Sequence, residues 1–276
     1  TYHCLNQNEF ESGEYKIVPI RYQDRMHIMT WRNEQMYHLR QATPLTSESQ
    51  ENYFRDVVSA LFDQENPNQL LFSYLKNGKC IGYGGLVHIN WIHRNAEISF
   101  IMNTELEKEE FEWHWTTFLK LITKVGFRSL DLKKLFTYAY NLRPHLYPVL
   151  EKNGFDLKTR LQDELEIEGN VIDILIHEKQ NPSLLLQLRK VTRSDMNLVY
   201  NWSNDPFVRS QSFNQKPILY ESHCSWFENK LKNSSSLLLL NEFKEEPSGL
   251  VRFEVEEDKT IIGIVVNKDH RGMGLA

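Results

Sequence analysis

IIGIVVNKDHRGMGLA, residues 261–276, sets a β-branched apolar run directly before a charged turn containing two glycines. Isoleucine and valine at 261–266 favour a strand, because branched Cβ atoms pack well on a pleated surface. Gly272 and Gly274 let the backbone take φ > 0 and approach a ligand with no Cβ in the way. Consecutive backbone N–H groups in such a turn form a concave site for an anion, and Arg271 would add a charge-assisted donor. Taken alone, the hexapeptide is equally a plain turn with two glycines.

The stretch has a counterpart earlier in the chain. Residues 20–41 (IRYQDRMHIMTWRNEQMYHLRQ) resemble 188–211 (LRKVTRSDMNLVYNWSNDPFVRSQ), with Trp31 and Asn33 against Trp202 and Asn204. Next, SESQENYFRDVV (47–58) resembles YESHCSWFENKL (220–231), and ISFIMN (98–103) lies against IGIVVN (262–267). Trp31 and Asn103 are 72 residues apart, Trp202 and Asn267 65. Three matches in order point to a duplicated unit. The expected division is a whole domain over 1–180 and the first half of a second over 184–276. KQNPS (179–183) is the join, with the composition of a linker. The first copy runs on to about His177 and the second stops nine residues after Asn267, so the sequence reads as part of a longer protein.

Composition narrows the class. The chain has 276 residues, 41% hydrophobic and 25% charged, as expected of about two globular domains. Net charge is −5 and no long basic face stands out, which argues against a nucleic-acid partner. No apolar run nears the roughly 20 residues of a membrane helix, and the polar, acidic start does not read as a signal peptide. Cys4, Cys80 and Cys224 are widely spaced, which suggests reduced thiols and a cytoplasmic setting instead of a disulfide frame or a metal site.

In the first copy, strands are expected at 16–21, 69–75, 79–90, 96–102, 135–140, 155–159 and 171–177. Helices are expected at 23–35, from Thr46 or Ser47 to about Phe62, at 107–125 and at 144–152. Asn77-Gly78 signals a tight hairpin, and Asn153-Gly154 a helix stop. The order is β-α-α-β-β-β-α-β-α-β-β.

That order, with Arg271-Gly272-Met273-Gly274-Leu275-Ala276 as an Arg/Gln-x-x-Gly-x-Gly/Ala loop and LEKNGF (150–155) as a helix end, resembles the GNAT superfamily of acetyl-CoA-dependent N-acetyltransferases. The Trp-x-Asn and Trp-Phe helices are similar to its ribosomal-protein and nucleotide-aminosugar branch, the second copy being nearer the aminosugar enzymes. The resemblance implies an α+β fold with a mixed, mostly antiparallel central sheet flanked by helices. It implies acetyl-CoA as cosubstrate, no metal, and coenzyme contacts at Val265, Val266, Arg271, Gly272, Met273, Gly274, Leu275 and Ala276. Glu97 is placed as a catalytic base, the alternative being a solvated strand residue; its counterpart is Ile261. Tyr147 and Asn141 complete the catalytic candidates, with Tyr147 also readable as a packing tyrosine. His88, His93 and His145 read as surface or core histidines.

The first copy departs from this pattern. After Asn103 it has no glycine but five glutamates, Glu105, Glu107, Glu109, Glu110 and Glu112, poor neighbours for a pyrophosphate. The expected activity is acetylation of a small-molecule amine, foremost a nucleotide-linked aminosugar. A protein N-terminal amine is the second acceptor: an α-amine loses its proton about 3 pH units, or roughly 4 kcal/mol, more easily than lysine. A non-catalytic binding or scaffold module is the third reading. A homodimer stays open.

Overall fold

The computed structural model describes residues 1–272 apart from 168 and 258. The chain divides into two compact units, the first Thr1–Asn181 and the second from Pro182 onward. Gln180 still belongs to the last strand of the first unit, so the expected 179–183 join is partly strand.

The first unit contains β1 (Phe10–Ser12), β2 (Tyr15–Pro19), α1 (Arg25–Glu34) and α2 (Ser47–Tyr53), which continues through a wide helical turn at Phe54–Val58 into α3 (Ser59–Leu61). There follow β3 (Leu70–Lys76), β4 (Lys79–Asn90), β5 (Asn95–Met102), α4 (Thr104–Glu109), α5 (Phe111–Thr123), β6 (Lys134–Tyr140), α6 (Leu146–Lys152), β7 (Asp156–Ile167) and β8 (Asn170–Gln180). Thr46 caps α2 by accepting from the Ser49 amide. Asn77 and Gly78 turn the β3–β4 hairpin with φ of 49° and 81°, as a type I′ turn requires.

Three details differ from the sequence reading. β1 adds a strand at the sheet edge. The helix expected over 107–125 is two, because Glu110 leaves helical geometry at φ −127°, ψ 30°. The closing strands reach Ile167 and start again at Asn170, although LKTRLQDELEI lacks the apolar alternation that would announce them. Most of β7 lies in solvent and is held by its ladder to β8.

The eight strands run in the order β1-β2-β3-β4-β5-β6-β8-β7. All neighbours are antiparallel except β5 and β6. β3 is buried on both faces. Phe72 and Tyr74 pack under Trp115, Phe118 and Ile122 of α5, while Leu71 and Leu75 pack under Ile28 and Trp31 of α1 and Phe54 and Val58 beyond α2.

The second unit contains β9 (Leu186–Lys190), α7 (Met196–Ser203), α8 (Pro206–Ser210), α9 (Tyr220–Lys232), β10 (Ser236–Phe243), β11 (Glu246–Glu256) and β12 (Lys259–Val266). Its sheet order is β12-β11-β10-β9, all antiparallel, the order that β5-β4-β3-β2 follow in the first unit. Val199, Trp202, Phe227, Leu238 and Leu240 form its core.

Side-chain clamps recur as well. The Asn33 carboxamide accepts from the Leu45 amide and donates to the Leu45 carbonyl; Asn204 does the same with Ile218. Arg21 grips Asp24 with two donors, and Arg189 grips Asp195 likewise. The Trp-x-Asn motif is therefore part core and part fastener for the loop after the first helix.

β4 passes so close to its neighbours that a Cβ on Gly85 would lie 1.9 Å from the Leu70 carbonyl oxygen. Gly85→Ala is expected to lower stability by about 1–3 kcal/mol, visible as an earlier urea midpoint. An unchanged midpoint would show that β3 and β4 are not packed this closely.

Burial also lowers the pKa of His38 to about 3 and pushes those of His114 and His177 downward. Each stays neutral in the fold at a pH where the unfolded chain protonates it. Stability should therefore be full above about pH 6.5 and fall as the pH drops from there toward 3. Urea midpoints between pH 7.5 and 5 that do not decline would contradict these neutral, buried rings.

Candidate functional site

Glu97 stands where two strands part. β5 and β6 pair in parallel only at Asn95–Glu97 against Lys134–Phe136. Beyond that point β5 stays with β4 as far as Met102, and β6 stays with β8 as far as Tyr140. The facing edges diverge and leave a cleft of about 450 Å³ between 98–101 and 137–140. α1 and the loop after it supply Arg32, His38 and Arg40; β4 supplies His88, and the loop after β6 supplies Arg143.

The Glu97 carboxylate is 5% exposed, a costly place for a charge. Burial pushes its pKa up, while Arg40 and His88 draw it down. Arg40 donates to Oε1 of Glu97, and its guanidinium lies 4.9 Å from the centre of the Tyr138 ring. Nε2 of His88 is 3.8 Å from the other carboxylate oxygen. A break in the β4–β5 register between Val87 and Asn90, with His88 at φ 50°, brings that ring to Glu97. Bulges re-aim side chains in this way.

Arginine dominates the rest of the lining. Arg32 bonds only neutral partners, the Tyr83 hydroxyl at 2.6 Å and the Gln41 carboxamide at 2.9 Å. Arg143 lies over the rings of Phe111 and Trp115, 3.8 Å from Glu107. Burial lowers its pKa. Among the charged side chains of the cleft, three are arginines and one is a carboxylate.

The other two catalytic candidates pair with each other. The Tyr147 hydroxyl donates to Asn141 at 2.9 Å, and its ring stacks on buried His177 at 5.3 Å. Neither lines the cleft, although the neighbouring Leu146 does. Burial raises the Tyr147 phenol to about 12, so it holds its proton at neutral pH.

The acidic segment after Asn103 is closed upon itself. Asn103 Oδ1 accepts from the amides of Glu105 and Leu106 and caps α4. Donors that a glycine loop would leave for phosphate are used within the chain. The residues of the first unit therefore fit the acetyl end and amine better than the coenzyme's pyrophosphate.

The second unit fits a coenzyme differently. β12 is the outer strand of its sheet among the described residues, and Val265 and Val266 line a cavity of about 1180 Å³ with Phe207, His223, Trp226 and Arg271. Gly272 takes φ 79°, and among the described residues no atom lies within 4 Å of where its Cβ would be. Arg271 is already engaged: it donates to Asp205 at 2.8 Å and to the Val266 carbonyl at 3.1 Å. Met273, Gly274, Leu275 and Ala276 lie outside the described residues.

Of the residues singled out in the sequence, Glu97 lines this cleft; Arg32, Arg40 and Arg143 line it too but were not singled out, nor was the approach of His88 to Glu97. Arg40 follows a polar loop with no periodic signal, and the position of His88 depends on an irregularity in strand register. Among the described residues no group of acidic, histidine and cysteine side chains could hold a metal ion. Among the described residues no helix is long and apolar enough to cross a membrane.

A family model described as an acetyltransferase (GNAT) domain matches residues 17–176. Among solved structures, spermidine N-acetyltransferase from Vibrio cholerae in complex with CoA and spermine aligns with TM-score 0.54 and 20% identity, over 62% of this chain and 97% of that one. A dodecameric structure of spermidine N-acetyltransferase from Vibrio cholerae in an intermediate state aligns with TM-score 0.52 and 20% identity, over 63% of this chain and 98% of that one. At such identities the likeness is one of fold.

The buried Glu97 charge carries a stability cost. Because its folded pKa is raised, the group contributes stability at low pH that is lost as pH rises above the ordinary glutamate range. Glu97→Gln is expected to raise the melting temperature at pH 7 by about 2–4 °C per kcal/mol relieved. A lower melting temperature would show that the Arg40 pairing outweighs burial.

Proposed function

The chain belongs to the GNAT acetyltransferase family, and from that premise we propose that its first unit acetylates a small amine bearing a negative charge, with Glu97 as general base. The observation that carries the acceptor class is the charge of the cleft, three arginines around one carboxylate. A polycation such as spermidine, acceptor of the Vibrio cholerae enzyme of similar fold, would meet like charge here. A nucleotide-linked aminosugar combines an amine with phosphates and suits the lining best.

Acetyl-CoA supplies the acetyl group as a thioester. As the new N–C bond forms, the amine proton passes to Glu97, directly or through one water, and breakage of the C–S bond releases a thiolate that takes up a proton. Burial makes Glu97 a stronger base than an exposed carboxylate and brings its pKa nearer the working pH. An acceptor α-amine or sugar amine of moderate pKa needs less from such a base than lysine does. Tyr147, protonated and held by Asn141, is the candidate donor to the thiolate among the residues singled out in the sequence.

We assign the second unit as the N-terminal half of the same fold, on its matching strand order and matching Asn204 and Asp195 clamps. A second reading rests on Asn103, which closes the phosphate side of the first unit. On that reading the first cleft binds an anionic amine without acetylating it, and transfer belongs to the unit with the open β12 edge.

Free-thiol release from acetyl-CoA by the full chain tests the choice, with UDP-glucosamine, glucosamine, a peptide α-amine and spermidine as acceptors. UDP-glucosamine should be fastest, and Glu97→Gln should lower kcat by about 10²–10⁴. Preference for spermidine would overturn the acceptor class. Turnover unaffected by Glu97→Gln would move the chemistry out of this cleft.

A further inference from the structure

The Glu97–Arg40 pair is lopsided. The carboxylate is fixed at the strand vertex with its side chain 6% exposed, whereas the Arg40 side chain is 45% exposed. Arg40 touches Glu97 through one nitrogen only, and its other support is the Tyr138 ring. A guanidinium carries five N–H donors, so most of its bonding capacity is free to meet another anion. The two other arginines of the cleft are less available: Arg32 is tied to Tyr83 and Gln41, and the Arg143 side chain is 11% exposed beside Glu107.

We propose that Arg40 reads the acceptor's anion: a phosphate or carboxylate near the amine draws Arg40 off Glu97, and this exchange uncovers the base only for amines carrying such a group. The inference rests on the anionic-amine reading of the cleft and adds the residue that enforces it. Before exchange, Arg40 donates to Oε1 of Glu97, and its charge holds down the basicity of the carboxylate. After exchange, the buried carboxylate loses its nearest cation and becomes more basic. The charged or titratable group left acting on Glu97 is then His88 from β4, at 3.8 Å. An acceptor without an anion must break the ion pair and gains nothing for it, which is discrimination by an unrewarded cost. Arg40 is thus a positioning and specificity residue, while Glu97 takes the proton.

Calorimetry and kinetics on the full chain separate this from a structural role. Arg40→Ala should weaken UDP-glucosamine binding about tenfold to a hundredfold and strengthen glucosamine binding, since glucosamine no longer has an ion pair to break. Arg40→Lys should restore part of the loss, since lysine keeps the charge without the planar fork. In turnover, Arg40→Ala should raise KM for UDP-glucosamine and raise kcat/KM for glucosamine, narrowing the preference between them. It should also move the acidic limb of kcat/KM to higher pH, because removing a cation raises the pKa of Glu97. Equal losses for both ligands, or unchanged UDP-glucosamine binding, would overturn the proposal. Charge-dependent binding with no thiol release from any acceptor would keep Arg40 as the anion reader and sink the catalytic reading of the cleft instead.

Discussion

The parting of β5 and β6 is the constraint on which the first unit depends. Each strand is satisfied along its outer edge, β5 by β4 and β6 by β8, so the inner edges can separate without loosening the sheet. Three residue pairs, Asn95–Glu97 with Lys134–Phe136, hold the two halves together at the vertex. A sheet that paired throughout would have no opening. One that lacked the vertex would divide, and Glu97 would lose the walls that bury it.

Burying a carboxylate there creates a tension that the arginines settle only in part. Arg40 offsets the charge from one side while its own side chain stays 45% exposed. The neutral histidines around the core show the opposite solution. His38 and His177 are buried with ring nitrogens that find no hydrogen-bond partner, and burial keeps them uncharged.

The two units share fasteners but differ at their open edges. Asn33 and Asn204 close the same kind of loop, and Arg21–Asp24 and Arg189–Asp195 tie the same corner. At the next turn they diverge. In the first unit Asn103 caps a short acidic helix. In the second, Asn267 opens a turn that leads to Arg271 and Gly272, with Arg271 folded back on Asp205. Chain-internal polar groups thus occupy both turns to different degrees, wholly through the Asn103 cap and partly through the Arg271–Asp205 pair.

Much of the fold was legible in the sequence because it rests on local chemistry. Asn77-Gly78 can serve a primed turn without strain, Thr46 can cap a helix, and branched runs such as 96–102 form strands that bury both faces. Trp-x-Asn could likewise be read twice in the sequence, and its tryptophan and asparagine do the same packing and bonding in each unit. Glu97 was found as a strand carboxylate, but nothing near it in sequence shows what surrounds it. Arg40 lies 57 residues away, His88 reaches it through a register break, and Arg143 arrives from beyond β6. Charge at a site is a sum over elements brought together in space. The sequence therefore determined the elements and one carboxylate, while the tertiary structure alone decided that this carboxylate would be buried beside Arg40 in a cleft that two further arginines line.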